Sequence, residues 1–323
     1  MAKLQRPEFV FMNGRLTKWD DAQLHIGCEA VVRGLNVFEG VKGYWQPDGT
    51  FGIVALRKHY HRLQRSARLL HIPFEHSYDQ FERVIFSLVN ELAEPTRDMW
   101  ARATLFVTDG HWGEGTKSDL VITAYHQSKE PPGDVKLGVS TWRRSGDVAL
   151  PARIKTSTNY QVARLARIEG RPRGWEDMIL LNPEGRVAEA TAACVLMVRD
   201  QTVFTPPATD GALESITLDL IEQLARDEGI AFVRRSIDRT ELLVADEIAM
   251  CGTLAELPIA IEIDGHALDP AAPILRRLQK RFLDAARGTR PHPALEMVFT
   301  RPKHAKSEPP SEKRPQAPDA PGR

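Results

Sequence analysis

Near the middle of the chain, Ser128-Lys129-Glu130-Pro131-Pro132-Gly133-Asp134 offers no apolar side chain and three residues that break helices and strands. Prolines lack the N–H a ladder or helix needs, and glycine contributes nothing to a core, so the segment reads as a surface connection between two structured units. A chain of 323 residues with 42% hydrophobic content is also past the size at which single cores divide. The expectation is a smaller domain over residues 1–127, the loop 128–134, and a larger domain over residues 135–290. From Pro302 onward the chain has six prolines, many charges and only alanine as an apolar residue. Such a composition cannot offset the entropy of ordering, and residues 302–323 are expected to be a disordered tail.

Both units carry mixed patterns. Phe9–Met12, the turn pair Asn13-Gly14 and the run toward Trp19 spell a hairpin, and Val37–Trp45 returns through Pro47-Asp48-Gly49 into Phe51–Leu56. Tyr60, Leu63, Ala67 and Leu70 recur at helical spacing between Arg57 and His71, and a further helix is expected near Ser77–Glu94. Two β-like runs follow, Trp100–Thr108 and Leu120–His126. Beyond the break, strands at Val135–Trp142, Asp177–Leu181, Val195–Val198, Ala231–Arg235 and Glu247–Cys251 alternate with helices near Gln161–Glu169, Ile216–Glu228 and Ile274–Ala286. The fold class is therefore α/β, or α+β, with two domains.

Several chemistries are disfavoured. Forty-three basic residues balance forty-three acidic ones, leaving no global field to recruit nucleic acid or an anionic membrane. No run of eighteen apolar residues occurs and no apolar stretch follows the start, so a cytoplasmic protein is expected. Cys28, Cys194 and Cys251 are far apart and form no CxxC pair, which fits small buried hydrophobes better than a disulfide or zinc framework. The segment Gly110–Ser118 nearly spells a P-loop, but one residue too many precedes its lysine and a strand, not a helix, follows. His59 and His61 point about 200° apart on a helix, cannot share a metal, and read as solvated. No G-x-S-x-G, H-E-x-x-H or G-x-G-x-x-G motif is present in a matching context.

Four separated elements remain: Arg153-Ile154-Lys155-Thr156-Ser157-Thr158-Asn159-Tyr160, Val187-Ala188-Glu189-Ala190-Thr191, Ala212-Leu213-Glu214-Ser215-Ile216-Thr217-Leu218-Asp219, and Cys251-Gly252-Thr253-Leu254-Ala255-Glu256 with the upstream Leu56-Arg57-Lys58-His59. In this order they resemble the class IV aminotransferases, fold-type IV pyridoxal-phosphate enzymes, most closely the branched-chain amino-acid branch, over about residues 8 to 290. The resemblance implies that Lys155 binds pyridoxal 5'-phosphate covalently and shuttles the substrate proton, an amine being suited to both once burial or neighbouring cations lower its pKa. Tyr160 would sit beside the cofactor's phenolic oxygen. Glu189, 34 residues after Lys155, would accept the pyridine N–H and keep the ring protonated. Leu213 would lie against the cofactor. Its phosphate would rest on Ser215, Ile216 and Thr217, at the start of an amphipathic helix whose dipole favours anions, and on Thr253 and Arg57. Ser215 reads equally well as the helix N-cap.

Val37-Phe38-Glu39-Gly40-Val41-Lys42-Gly43-Tyr44 resembles the branched-chain enzymes' Val-Phe-Glu-Gly-x-Arg-x-Tyr. This similarity implies a substrate site of Phe38, Lys42, Trp100, Arg102, Leu254 and Ala255, with Leu, Ile and Val as amino donors and 2-oxoglutarate as acceptor. Departures are Arg33 and Trp100 where relatives carry tyrosine, Lys42 for arginine, and Cys194 for asparagine; Arg33 either turns away or meets a substrate carboxylate. A D-amino-acid or amine aminotransferase, an aminodeoxychorismate lyase, and a non-catalytic binding protein on the same scaffold stay open. Family resemblance further implies amino-acid and 2-oxo-acid partners and a homodimer or larger homo-oligomer.

Overall fold

The computed structural model describes residues 5–303, so all but the first two residues of the expected tail lie outside the described residues. The Asn13-Gly14 turn, both residues at positive φ, joins β1 (Phe9–Met12) to β2 (Arg15–Lys18). A four-residue helix α1 (Glu29–Val32) leads into β3 (Asn36–Trp45), β4 (Phe51–Val54), α2 (Leu56–Leu69) and α3 (Tyr78–Leu92). Helix α3 begins on a capping box in which Ser77 and Gln80 satisfy each other's backbone N–H groups. The two β-like runs that follow are one long hairpin, β5 (Asp98–His111) and β6 (Glu114–Gln127). Its tip at Trp112-Gly113 falls inside the glycine-rich segment that nearly matched a P-loop.

After the Ser128–Asp134 connection come β7 (Val135–Arg143), α4 (Gln161–Gly170), β8 (Asp177–Leu181), β9 (Val187–Ala190), β10 (Cys194–Arg199) and β11 (Thr202–Thr205). Then follow α5 (Ile216–Asp227), β12 (Ala231–Arg234), β13 (Glu247–Cys251), β14 (Ile259–Ile263), β15 (His266–Ala267), α6 (Pro273–Ala286) and β16 (Met297–Thr300).

Two sheets result. The first has the order β16-β4-β3-β5-β6-β1-β2; the second runs β12-β11-β10-β13-β14-β7-β8-β9, with β15 paired to β14. Strand β16 lies beyond the boundary expected for the second unit yet pairs antiparallel with β4, Met297 opposite Val54. Just before it, the carbonyl of Glu296 accepts the N–H of Ala55 at 2.7 Å. No periodic pattern announces so short a strand, because its partner decides it.

Helices α2 and α3 cover the first sheet with Leu56, Tyr60, Leu63, Ala67, Phe81, Ile85 and Leu88. Helices α5 and α6 cover the second through Leu220, Ile221, Leu224, Leu275, Leu278 and Phe282. Between these lies a polar seam. His59, expected to be solvated, is buried and its Nδ1 lies 2.7 Å from Glu39 Oε2. His59, Arg62 and Ser66 form a second stripe on α2 beside the apolar one, and all three are buried. His61 is exposed, as its position a fraction of a turn away requires. All three cysteines are buried and free.

Packing is tight where Trp175 lies on β7: a Cβ at Gly138 would sit 2.1 Å from Trp175 Cε3. Gly138→Ala should therefore destabilise the protein by about 1–3 kcal/mol, the cost of overpacking a core. The check is a thermal or denaturant melt, and combining it with Trp175→Leu should return part of the loss, a non-additivity that independent sites would not show.

Candidate active site

Lys155 occupies the loop between β7 and a short 3-10 turn, Ser157–Tyr160. Its backbone is clasped from two sides: the N–H donates to Ser66 Oγ on α2 at 3.1 Å, and the carbonyl accepts the N–H of Phe38 on β3 at 2.9 Å. Two elements of the first sheet's layer, α2 and β3, thus fix where this lysine, which follows β7 of the second sheet, stands. The side chain donates from Nζ to the Tyr160 hydroxyl at 2.8 Å and lies 5.0 Å from the centre of the Phe38 ring.

Around this amine is a cavity of about 650 Å³. It gathers most of the expected residues: Phe38, Trp100, Arg102, Lys155, Tyr160, Glu189, Leu213, Ser215, Thr253, Leu254 and Ala255 all line it. Glu189, on β9, is held by Arg144, whose guanidinium is 3.2 Å away, and by the N–H of Leu213 at 3.0 Å. Burial nonetheless pushes its carboxyl above the usual range, outweighing Arg144 and the Leu213 N–H. Arg144 is itself fixed by the carbonyls of Asn159 at 3.0 Å and Gly211 at 3.2 Å. Cys194 faces the same space as a neutral thiol, since burial pushes its pKa up to about 12.

Ser215 caps α5, accepting the N–H of Leu218 at 3.2 Å. Ile216 and Thr217 stand behind the cavity wall, and the Thr217 hydroxyl lies 3.2 Å from that of Thr253. Their amides begin the helix and have no acceptor within it.

Two expected positions are corrected. Arg57 is exposed in the first turn of α2 and stacks its guanidinium 3.7 Å over the Tyr78 ring. Arg62, five residues on and turned about 140° from it around the helix, is the arginine of α2 that lines the cavity. It binds Glu39 through Nε at 2.6 Å and Nη2 at 2.9 Å, and the carbonyl of Glu214 at 2.7 Å. Lys42 does not line the cavity; its Nζ binds Glu256 Oε1 at 2.6 Å. The turn Gly252–Glu256 lies across β3, with Leu254 3.7 Å from where a Cβ of Gly40 would be. That leaves Lys42 beyond the wall, holding the turn with Tyr44, whose hydroxyl donates to the same oxygen at 3.0 Å. Of the two alternatives for Arg33, the structure takes the first: it has turned away, binding Glu29 at 2.5 Å with its guanidinium 4.9 Å from the Trp112 ring.

Arg62, Arg144, Arg164, Arg167 and Asp177 were not picked out from the sequence. Arg62 had a signal: it falls on the inward polar stripe with His59 and Ser66. The others show no local pattern.

Comparison with known proteins agrees with this geometry. The model of the family "Amino-transferase class IV" matches residues 36–261. The chain belongs to the class IV aminotransferases. This class IV chain is 28% identical over 289 residues to the branched-chain-amino-acid aminotransferase of Escherichia coli (strain K12), covering 86% of this chain and 93% of that one. The branched-chain amino acid aminotransferase of Thermobaculum terrenum in its PLP-bound holo form is 32% identical, with a TM-score of 0.80 over 88% of this chain and 95% of that one. A T.th. branched-chain amino acid aminotransferase complexed with N-(5'-phosphopyridoxyl)-L-glutamate is 26% identical, with a TM-score of 0.81 over 89% and 97% of the two chains.

Two outcomes follow from the corrected cation. Arg62→Gln should weaken binding of pyridoxal phosphate to the apo-protein by about tenfold or more, as loss of a charge-assisted contact does, whereas Arg57→Gln should change it less than about twofold, surface substitutions away from a site having small effects; fluorescence titration measures both. The second concerns pH. Burial and the Arg62 and Lys155 charges lower the His59 pKa against the pull of Glu39. Folded His59 therefore binds fewer protons than unfolded His59, and stability drops as pH falls from the ordinary value of 6.5 toward the folded one. His59→Asn should shrink the fall in Tm between about pH 7 and pH 5 relative to the unsubstituted protein.

Proposed function

We propose that this chain is a pyridoxal-phosphate-dependent aminotransferase that moves the amino group of Leu, Ile and Val to 2-oxoglutarate. The observation that carries the reading is the Lys155–Tyr160 pair, 2.8 Å apart, in one cavity with the buried Glu189 carboxylate and the start of α5. These groups fit the cofactor at each of its polar ends. Lys155 offers an amine for the carbonyl, and Tyr160 a hydroxyl for the phenolic oxygen. Glu189 offers a carboxylate, backed by Arg144, for the ring N–H. Arg62, Ser215, Thr253, the Thr217 hydroxyl and the free amides of Ile216 and Thr217 offer donors for the phosphate.

When bound, pyridoxal phosphate supplies a carbonyl that condenses with amines and a ring that takes up electrons left at the substrate Cα. Lys155 Nζ would serve as the acid–base group of the site, taking the proton from the substrate Cα and giving it back. Tyr160 holds that nitrogen by hydrogen bond. Burial costs Glu189 stability as an anion, and a cationic ring N–H repays it, so the carboxylate favours the protonated ring.

Phe38, Trp100, Leu254 and Ala255 give the substrate an apolar wall, which suits branched side chains. Relatives named for branched-chain amino acids support that choice. The T.th. relative is found both with a phosphopyridoxyl-glutamate and with 4-methylvaleric acid, a pairing of acidic and branched ligands that supports 2-oxoglutarate as acceptor. A cytosolic homodimer is the setting we infer. Free cysteines support a reducing compartment, and the exposed Val31, Val32 and Trp112 support a partner surface.

The test is a half-reaction on the holo-protein. Leu, Ile and Val should each abolish the visible absorption of the lysine-bound cofactor, and 2-oxoglutarate should restore it. Response to D-alanine or a simple amine alone would remove the branched-chain assignment, and absence of the absorption with added cofactor would remove the enzyme reading. Lys155→Ala should lower turnover by at least about 10²-fold, the range of a lost acid–base group.

A further inference from the structure

Two of the three cysteines stand opposite each other, and the chemistry above employs neither. In the antiparallel pair of β10 and β13, Cys194 is the direct partner of Cys251. Direct partners on antiparallel strands point to the same face of a sheet. The packing agrees: Cys194, Leu196, Ala249 and Cys251 belong to the core beneath α5 and α6, whereas Val195 and Met250, the next pair along, belong to the core on the other face. Both cysteines line the cavity of about 650 Å³, and both are free and buried. The Cys194 thiol donates at 3.9 Å to the carbonyl of Leu213, two residues before the Ser215 cap of α5, and Cys251 leads directly into Gly252 and Thr253. The pair therefore sits beside the groups that offer donors for a phosphate.

Geometry and protonation narrow what such a pair can take. Side chains directly opposed on antiparallel strands have Cβ atoms about 4.5–5.5 Å apart, wider than the roughly 3.5–4.5 Å of a disulfide. Closing an S–S bond would pull two strands together inside a packed core. One soft atom bonded to both sulfurs, at roughly the 2.3 Å of a metal–thiolate bond, spans the gap as it stands. An ion such as zinc fits poorly, because it needs thiolates and about four ligands. Among the described residues, no three His, Cys, Asp or Glu side chains are grouped to hold a metal. Burial also holds the Cys251 thiol well above its ordinary value, and the Cys194 thiol beside it adds to the shift. What fits is an electrophile that takes neutral thiols and carries their protons away.

We propose that Cys194 and Cys251 form a dithiol site for trivalent arsenicals, open when no phosphate-bearing cofactor fills the cavity. With an organoarsenous acid, which has two hydroxyls on arsenic, each thiol sulfur forms a bond to arsenic as one As–O bond breaks. The thiol proton leaves with the departing hydroxide as water, once for each sulfur. Arsenic stays trivalent, so neither oxidant nor reductant takes part. The second bond is intramolecular, which gives this pair an advantage that Cys28, alone in the N-terminal segment, does not have. Cofactor and arsenical then compete, since the arsenical reaches the sulfurs only through the space the cofactor would occupy.

The test adds phenylarsine oxide, which hydrates to such an acid, to the full chain with and without pyridoxal phosphate. Intact-mass spectrometry should find one arsenical on each apo-chain, released by 2,3-dimercaptopropanol and retained against the same concentration of 2-mercaptoethanol. Cys194→Ala and Cys251→Ala should each weaken capture by at least about 10²-fold, the gain from tethering the second bond, while Cys28→Ala should change it less than about twofold. Pyridoxal phosphate at about ten times its Kd should weaken capture about tenfold, as mutually exclusive binding requires. Circular dichroism checks that the variants fold, and with two separate substitutions either folded one decides. Capture by a folded Cys194→Ala or Cys251→Ala within about threefold of the unsubstituted protein overturns the proposal, the tether then contributing nothing. So does absence of capture by the apo-protein, or capture left unchanged by pyridoxal phosphate whose absorption shows it bound. If the chain takes up no pyridoxal phosphate, the enzyme reading fails, and the dithiol site stands or falls by the cysteine variants.

Discussion

The Glu39 carboxylate is sealed from solvent between β3 and α2, and much of the site depends on how that charge is neutralised. A buried carboxylate is tolerable only when donors occupy its oxygens. Burial would raise its pKa, but Arg62 and His59 hold it well below the ordinary carboxylate range. In return, the carboxylate fixes the Arg62 guanidinium by two contacts and leaves its third arm to reach the Glu214 carbonyl, one residue before the cap of α5. One ion pair therefore ties a strand of the first sheet, the helix covering it and the helix start that faces the cavity. Lys155, clasped by Phe38 and Ser66, stands on neighbours of the same groups.

Much of this was legible in the sequence where local chemistry decides the structure. Asn13-Gly14 admits few conformations other than a tight turn, and the apolar stripe of α2 can bury only one way. Lys155, Tyr160, Glu189, Leu213 and Thr253 were found because their order and spacing match a family, and the structure brings them to one cavity. The failures share a cause. Arg57 and Lys42 were placed by proximity to a motif, whereas direction is set by neighbours distant in sequence. Residue 57 sits on the wrong side of its helix. Lys42 does share a strand face with Phe38 and Gly40, but a turn from some two hundred residues later crosses that face and closes the cavity before it. His59 was judged by its partner His61, when its partner was Glu39.

The same turn explains why an otherwise costly arrangement persists. Glu256 has positive φ, 60°, an unfavourable conformation for a side chain with a Cβ, and its carboxylate is buried. Lys42 and Tyr44 both bind that carboxylate. Burial lowers the Lys42 pKa against the opposing pull of Glu256, so the contact stands at some cost to the cation. What the pairing secures is the position of Thr253, Leu254 and Ala255, three consecutive residues that line the cavity. Strain and buried charge are concentrated where placement of a wall matters most.

Strand β16 gives the chain an order of assembly. Its partners on β4 are more than two hundred residues earlier, Val54 facing Met297, so during synthesis the first sheet waits with an open edge at β4 until residues 297–300 have left the ribosome. An unpaired edge of that kind is where a nascent chain meets other strands. Since Ala55, at the head of the helix carrying His59 and Arg62, donates its N–H to Glu296, the segment that leads into β16 also closes the start of that helix. Maturation of the site is thereby coupled to the emergence of residues 297–300.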